Sequence, residues 1–181
     1  PQKIAAHPAD YFAQRLHEFL IHHNETAAAE EFESAADSYS LSELFESILV
    51  PVLVKIGEDW FHSRITITTE HFASAFIRTR LMTLFQSLST KQALSHILVG
   101  SAPEELHEIG PLMIAVLLRE AGYKVEYLGP DLPLPDLVFY AKEEKPKMII
   151  LSATLRESTR ELAGFENLLS SIRPRPIFGF G

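Results

Sequence analysis

A chain of 181 residues with 46% apolar content is long enough for one ample domain or two small ones, and should fold as a soluble globule. Sixteen Lys and Arg against 24 Asp and Glu leave a net charge of −8, which excludes the basic stripe that a phosphate backbone requires, so this segment should not bind nucleic acid directly. The absence of cysteine excludes disulfides, thiolate zinc sites and iron–sulfur ligation, leaving imidazole and carboxylate as the strong metal ligands.

At the start, Pro1-Gln2-Lys3 lacks a signal peptide's apolar core, which points to a cytoplasmic protein or an excised piece of one. From His7 to about Leu88 apolar residues recur at helical spacing, first Phe12, Leu16, Phe19 and Leu20, then Leu41, Leu44, Phe45, Ile48 and Leu49. His7, His17, His22 and His23 read as polar helix surface, and the adjacent pair His22-His23 points to two faces and makes no chelate. The run Glu30-Glu31-Phe32-Glu33 reads as a solvated face around one buried phenylalanine; a calcium loop would need alternating oxygens and a central glycine. Ser40 with Glu43 is a capping-box pattern that starts a helix, which Pro51 should bend or split and which should end near Gly57. The longest apolar stretch, Ile48 to Ile56, is far below the roughly 20 residues of a bilayer span and carries Lys55, so no membrane partner is expected. A further helix is predicted from about Thr68 to Leu88, with Phe72, Phe76, Ile77, Leu81 and Leu84 on one face. Residues 1–90 are thus expected to form a four-helix bundle.

Beyond Lys91 short apolar runs alternate with helices. Strands are predicted at His96–Gly100, Lys124–Leu128, Met148–Leu151 and Ile177–Phe178, and helices at Ile109–Ala121, Pro135–Glu144 and Ser158–Ile172, with Gly122 suited to a helix stop. That alternation predicts an α/β domain over 91–181 with a doubly wound parallel sheet and right-handed crossovers. Ligands of such sheets sit beyond the strands' carboxyl ends, here the loops after Gly100, Leu128, Leu151 and Phe178. The chain stops at Gly181, where such a sheet would normally continue, so either its C-terminal end is truncated or the domain is unusually small.

Two motifs carry chemistry. The first is the loop Ser101-Ala102-Pro103-Glu104-Glu105-Leu106-His107-Glu108-Ile109-Gly110. His107 can offer one ring nitrogen to a metal while Glu105 holds the other N–H and fixes the tautomer, and Gly110 lets a bulky planar ligand approach. By itself Glu-x-His-x-x-Gly is a weak signal, because a lone loop histidine is more often solvated surface. The second is Trp60, nine residues, then Glu70-His71, whose bland reading is a carboxylate at a helix N-terminus beside a surface histidine. Neither a nucleophile–base triad nor a Gly-rich phosphate loop stands out, so no hydrolytic or phosphoryl-transfer activity is expected.

Glu105-x-His107-x-x-Gly110 resembles the Asp/Glu-x-His-x-x-Gly signature of cobalamin-binding domains in their base-off, histidine-on mode. Companion segments match as well: Tyr127-Leu128-Gly129-Pro130-Asp131-Leu132-Pro133, Leu151-Ser152-Ala153-Thr154 and Gly179-Phe180-Gly181. Trp60-x9-Glu70-His71 resembles the helical-cap signature of MerR-type light-dependent cobalamin regulators. The resemblance implies a helical cap followed by a Rossmann-like cobalamin-binding domain, with His107 as lower axial ligand to cobalt. It further implies that Leu128, Ser152, Thr154, Gly179 and Gly181 line the slot for the displaced nucleotide tail. Trp60 and Phe61 would pack against the upper ligand, with Glu70 and His71 approaching the same face. The function implied is a sensor and transcription regulator, not an enzyme, holding adenosylcobalamin or methylcobalamin. Photolysis of the upper ligand would change cap packing or the assembly of a homo-oligomer.

Three departures qualify that picture. No DNA-binding segment is present, so the chain is expected to be an excised sensor, a natural stand-alone sensor, or one whose output lies elsewhere. Phe61 stands where such repressors can carry a histidine, and His62 is turned about 100° further round a helix, so a bis-histidine photoproduct is not implied. The enlarged aromatic surface admits a second chromophore, a noncovalent bilin such as biliverdin, with Arg78, Arg80, Arg156 and Arg160 as candidate propionate partners. The alternative function is a corrinoid carrier for methyl transfer, which shares the two-part build; a cofactor-free interaction module is disfavoured by His107.

Overall fold

The structure is a computed structural model that describes residues 7–88 and 94–181. The expected reading of Pro1-Gln2-Lys3 and the expected domain boundary between residues 90 and 91 lie outside these residues. Packing divides the chain into two compact units, Pro1–Arg80 and Leu81–Gly181.

The first unit is helical. Helix α1 (Ala9–Ile21) buries Phe12, Leu16 and Leu20 at i, i+4 and i+8, the spacing that puts them on one face. Helix α2 (Glu25–Ser38) is capped by Asn24, which accepts from the Ala27 N–H at 3.2 Å, and buries Ala28, Phe32 and Ala35. Phe32 is thus the one buried side chain of the acidic run. The capping box of Ser40 and Glu43 is present at the start of α3 (Leu41–Leu44).

The helical path then widens into a π turn over Phe45–Leu49 and continues as α4 (Val50–Phe61). Within that turn the Val50 N–H reaches Phe45 O, five residues back. Pro51 has no N–H to donate, and the wider turn lets the helix absorb it without stopping. The helix also passes the expected stop at Gly57. A mid-helix glycine costs only about 1 kcal/mol relative to alanine, and burial of Val52 and Ile56 on one face outweighs that. Helix α5 (Ile67–Ser87) completes the four helical runs and continues past Arg80 into the second unit; Ala73, Phe76 and Ile77 are buried along its first part, Leu81 and Phe85 along its last.

The second unit is a parallel four-stranded sheet in the order β2-β1-β3-β4, formed by β1 (His96–Ser101), β2 (Lys124–Tyr127), β3 (Met148–Ser152) and β4 (Ile177–Phe180). Helix α6 (Ile109–Glu120) connects β1 to β2 and ends at Gly122, whose φ of 94° needs a residue without a side chain. Helix α7 (Leu134–Glu144) leads to β3. The single helix expected over Ser158–Ile172 is instead two short ones, α8 (Arg156–Glu161) and α9 (Phe165–Leu169). Gly164, at φ 81°, breaks the path between them, and the break lets Leu162, Phe165, Leu169 and Ile172 all reach the core. That core also holds Leu98, Leu137, Ala141, Ile149 and Leu151.

Since β2 and β3 flank β1 on opposite sides, the strand order reverses between β1 and β3. Loops leaving their carboxyl ends part there and open a crevice. Among the described residues no helix is long and apolar enough to cross a membrane.

Candidate metal centre

The loop between β1 and α6 starts in the crevice. Glu105 is wholly buried, while the His107 side chain is 70% exposed. One carboxylate oxygen of Glu105 accepts from His107 Nδ1 at 2.6 Å and from the His107 backbone N–H at 3.0 Å. The other accepts from the Thr154 hydroxyl and N–H, both at 2.6 Å, and from the Leu155 N–H at 3.1 Å. Burial alone would push this carboxyl up. The Thr154 hydroxyl, the His107 N–H groups and the Thr154 backbone outweigh burial and hold it down at about 2.

An ionised carboxylate can only accept, so the proton of a neutral His107 ring sits on Nδ1 and the lone pair on Nε2. An exposed imidazole with its second nitrogen held this way is a ready ligand for a borderline metal ion.

Other contacts stiffen the loop. Buried Ser101 donates its hydroxyl to His107 O at 3.0 Å, and Asp131 accepts the Glu104 N–H at 2.8 Å. Both lie inside the segments quoted for the resemblance, but the sequence assigned neither a role, because their backbone partners are set by how the loops fold. A Cβ on Gly100 would lie 2.9 Å from Gly129 O, so only glycine lets the loop after β2 close on β1.

The loops after β1, β3 and β4 come side by side. Ala102 N donates to Ser152 O at 2.8 Å, and Ala153 N to Gly181 O at 3.0 Å. Gly110, Gly179 and Gly181 face open space where a Cβ would stand, with Gly179 inside β4 and not after it. Leu128 donates its N–H to Val99 O and is partly buried against the core. Ser152 is partly buried, whereas Thr154 is turned onto Glu105. Ser158 Oγ is fully buried and, among the described residues, has no hydrogen-bond partner.

In the helical unit, Trp60 and Phe61 are the last two residues of α4, 47% and 77% exposed. Glu70, in the first turn of α5, accepts from His71 Nδ1 at 2.8 Å and from the Ser74 hydroxyl at 2.7 Å. Two histidines expected on polar surface do structural work. His17 is largely buried and donates to Asp59 at 2.8 Å. His23 is exposed as expected, yet it meets Thr69 Oγ1 at 3.1 Å and lies tilted 4.6 Å from the Phe72 ring. Helical spacing could not mark them, because their partners lie 42 and 46 residues away. Of the four arginines considered for propionates, Arg80 is committed to Glu33 at 3.2 Å and to the Phe76 ring.

Among the described residues, His96, Glu126 and Glu144 also gather three donor atoms, at the opposite end of the sheet from His107. Lys124 Nζ already lies 3.2 Å from Glu126 and 3.9 Å from Glu144, so this cluster carries its own counter-charge.

Residues 95–181 match one family model described as a B12 binding domain, and residues 12–84 match a second with the same description. The chain belongs to the B12-binding domains. It is 32% identical over 129 residues to the HTH-type transcriptional repressor CarH of Myxococcus xanthus, covering 71% of this chain and 42% of that protein. With the repressor CarA of the same organism it shares 29% over 133 residues, 73% of this chain and 44% of the relative. Similarity to trimethylamine corrinoid protein 1 of Methanosarcina acetivorans is 28% over 137 residues, 73% of this chain and 63% of that one. The chain thus spans less than half the length of either repressor. Its fold matches the monomethylamine corrinoid protein of Methanosarcina barkeri with a TM-score of 0.74 at 17% identity, over 96% of this chain and 85% of that chain. The cofactor of a B12-binding domain is a corrinoid, and the residues present fit one: an oriented imidazole donor, glycines facing open space, and an unpartnered buried hydroxyl.

Proposed function

We propose that this B12-binding domain is the cobalamin-holding segment of a light- or ligand-responsive regulator, with His107 Nε2 as the lower axial ligand to cobalt. The observation that carries the reading is the buried Glu105 carboxylate, 2.6 Å from His107 Nδ1, which fixes the tautomer that leaves Nε2 free to ligate. Ser152, Ser158, Gly179 of β4 and Gly181 just after it would receive the nucleotide tail, with hydroxyls to bond it and no side chains to obstruct it. Glu105 and Thr154 act on the ligand from behind.

Adenosylcobalamin or methylcobalamin would supply a cobalt–carbon bond that light can break. Trp60 and Phe61 offer a wide apolar surface for an upper group, and Glu70 and His71, bonded to each other at the start of the next helix, would approach the same face. A bulky group held against Trp60 biases the helical unit only through contact present in one state and lost in the other, and the output is a change in packing or in assembly with a second copy. Similarity to two proteins named as transcriptional repressors supports regulation as the downstream role. The chain holds the corrinoid and is not itself a catalyst.

The runner-up is a corrinoid carrier in methyl transfer, favoured by the similarity to trimethylamine corrinoid protein 1. A bilin gains nothing from Arg80, which is already engaged. Absorption spectra of the protein with adenosylcobalamin, in darkness and after illumination, test the proposal. A base-off, histidine-ligated spectrum that changes in light supports the sensor; a light-inert one that passes methyl from methylcobalamin to an external thiol supports the carrier.

A further inference from the structure

Trp60 and Phe61 stand where a helix is least secure. The last four carbonyls of an α-helix have no partner within it, and final turns open most readily. Packing covers only about half of Trp60 and little of Phe61, which are 47% and 77% exposed. Their direction is therefore set by the backbone of the last turn of α4, and something must hold that turn.

The adjacent residue does so. The Asp59 side chain is only 5% exposed, and it gathers three cationic or imidazole donors. His17 Nε2 donates from α1 at 2.8 Å, Arg64 Nε from beyond the helix end at 2.6 Å, and Lys55 Nζ from one turn earlier. The Asp59 carbonyl accepts from the N–H groups of Arg64 at 2.7 Å and Ile65 at 3.3 Å. One residue thus ties the end of α4 to α1 and to the turn that leads into α5. A step of one residue rotates a helical side chain by about 100°, so an inward Asp59 sends Trp60 and Phe61 outward.

From this geometry we infer that the Asp59 carboxylate is the positioning residue for Trp60 and, through it, for discrimination of the upper group of cobalamin. The second clause rests on the reading that Trp60 packs against that group. A buried ion network is a poor source of net stability, since desolvation offsets most of the attraction, but it holds a fixed geometry that an apolar contact does not. Here the fixed element is the turn that presents a half-exposed indole.

Trp60 is the chain's single tryptophan, so its fluorescence reports this one position. Acrylamide quenching and emission anisotropy would be measured on the cofactor-free full chain for wild type, Asp59→Asn and Val52→Ala. Val52→Ala weakens the same helix without touching Asp59. With far-UV circular dichroism unchanged, Asp59→Asn should raise the quenching constant about twofold, the freedom of an opened turn, while Val52→Ala lowers the melting temperature and leaves quenching as in wild type. Wild-type quenching in folded Asp59→Asn, or an equal rise in Val52→Ala, overturns the inference. Should Asp59→Asn not fold, Arg64→Gln and His17→Gln each cut one strut, and wild-type quenching in both overturns it equally. The affinity ratio of adenosylcobalamin to hydroxocobalamin is then compared. It should fall toward one in the variant while the histidine-ligated spectrum persists. If wild type itself shows no preference, the role of Trp60 at the upper group fails, and quenching alone still decides whether Asp59 positions it.

Discussion

Both halves of the chain place a buried carboxylate next to an exposed side chain, but the two are satisfied by different chemistry. Glu105 is surrounded by a hydroxyl, backbone N–H groups and one imidazole, with no permanent cation among its partners in the described residues. Asp59 is matched by Lys55 and Arg64 as well as His17. The difference follows from what each neighbour must do. A guanidinium beside Glu105 would compete for the charge that should polarise His107, whereas at Asp59 cations fix a turn and no ring needs to remain basic.

The comparison can be broken from either side. The largest effect is expected from His107→Ala, which removes the exposed imidazole of the loop: the histidine-ligated cobalamin spectrum should vanish, and an unchanged spectrum would remove His107 as ligand. Glu105→Gln keeps the shape but not the charge, and isothermal titration should show corrinoid affinity lower by roughly 10–100-fold, the usual effect of losing a group behind a metal ligand. Thr154→Val deletes one hydroxyl donor and leaves the N–H groups; it should cost about 1–3 kcal/mol of stability in urea titration, as for one buried partner removed, with the cobalt spectrum nearly unchanged.

The smallest effect separates the carboxylates by pH. Its cation and imidazole partners, Lys55 first among them, hold the Asp59 carboxyl well below the usual carboxylate range despite its burial. A folded-state value below the unfolded one means that its stabilisation is complete above the unfolded value of about 3.9 and is lost as pH falls toward the folded value. Wild type should therefore lose thermal stability below about pH 4 more steeply than Asp59→Asn, which has no such proton to take up. Parallel curves would show that the network contributes nothing to folding.

Periodicity made most of the fold legible. The change from a 3.6-residue to a short-strand pattern separates a helical half from an α/β half, and the four strands fall where apolar runs were read. What escaped were places where one residue type supports two outcomes. Gly57 is passed by a helix held through its buried neighbours, while Gly164 breaks one. Sequence could not distinguish them, because the first depends on packing by Val52 and Ile56 and the second on four side chains reaching one core. In the candidate site, Glu105 and His107 are two residues apart and legible together. Thr154 was marked for the nucleotide tail, yet its bonds run to Glu105, 49 residues away, a meeting that only the pairing of β1 with β3 creates.

That last contact bears on the order in which the molecule becomes competent. Closing a loop of such length is entropically slow relative to forming the Glu105–His107 turn, so the turn can be made and unmade many times before β3 arrives. Until then the carboxylate is solvated and its hold on His107 Nδ1 is only transient. The ability to choose a tautomer is therefore a property of the folded sheet, and a peptide bearing the ten residues from Ser101 to Gly110 would carry the motif without its chemistry.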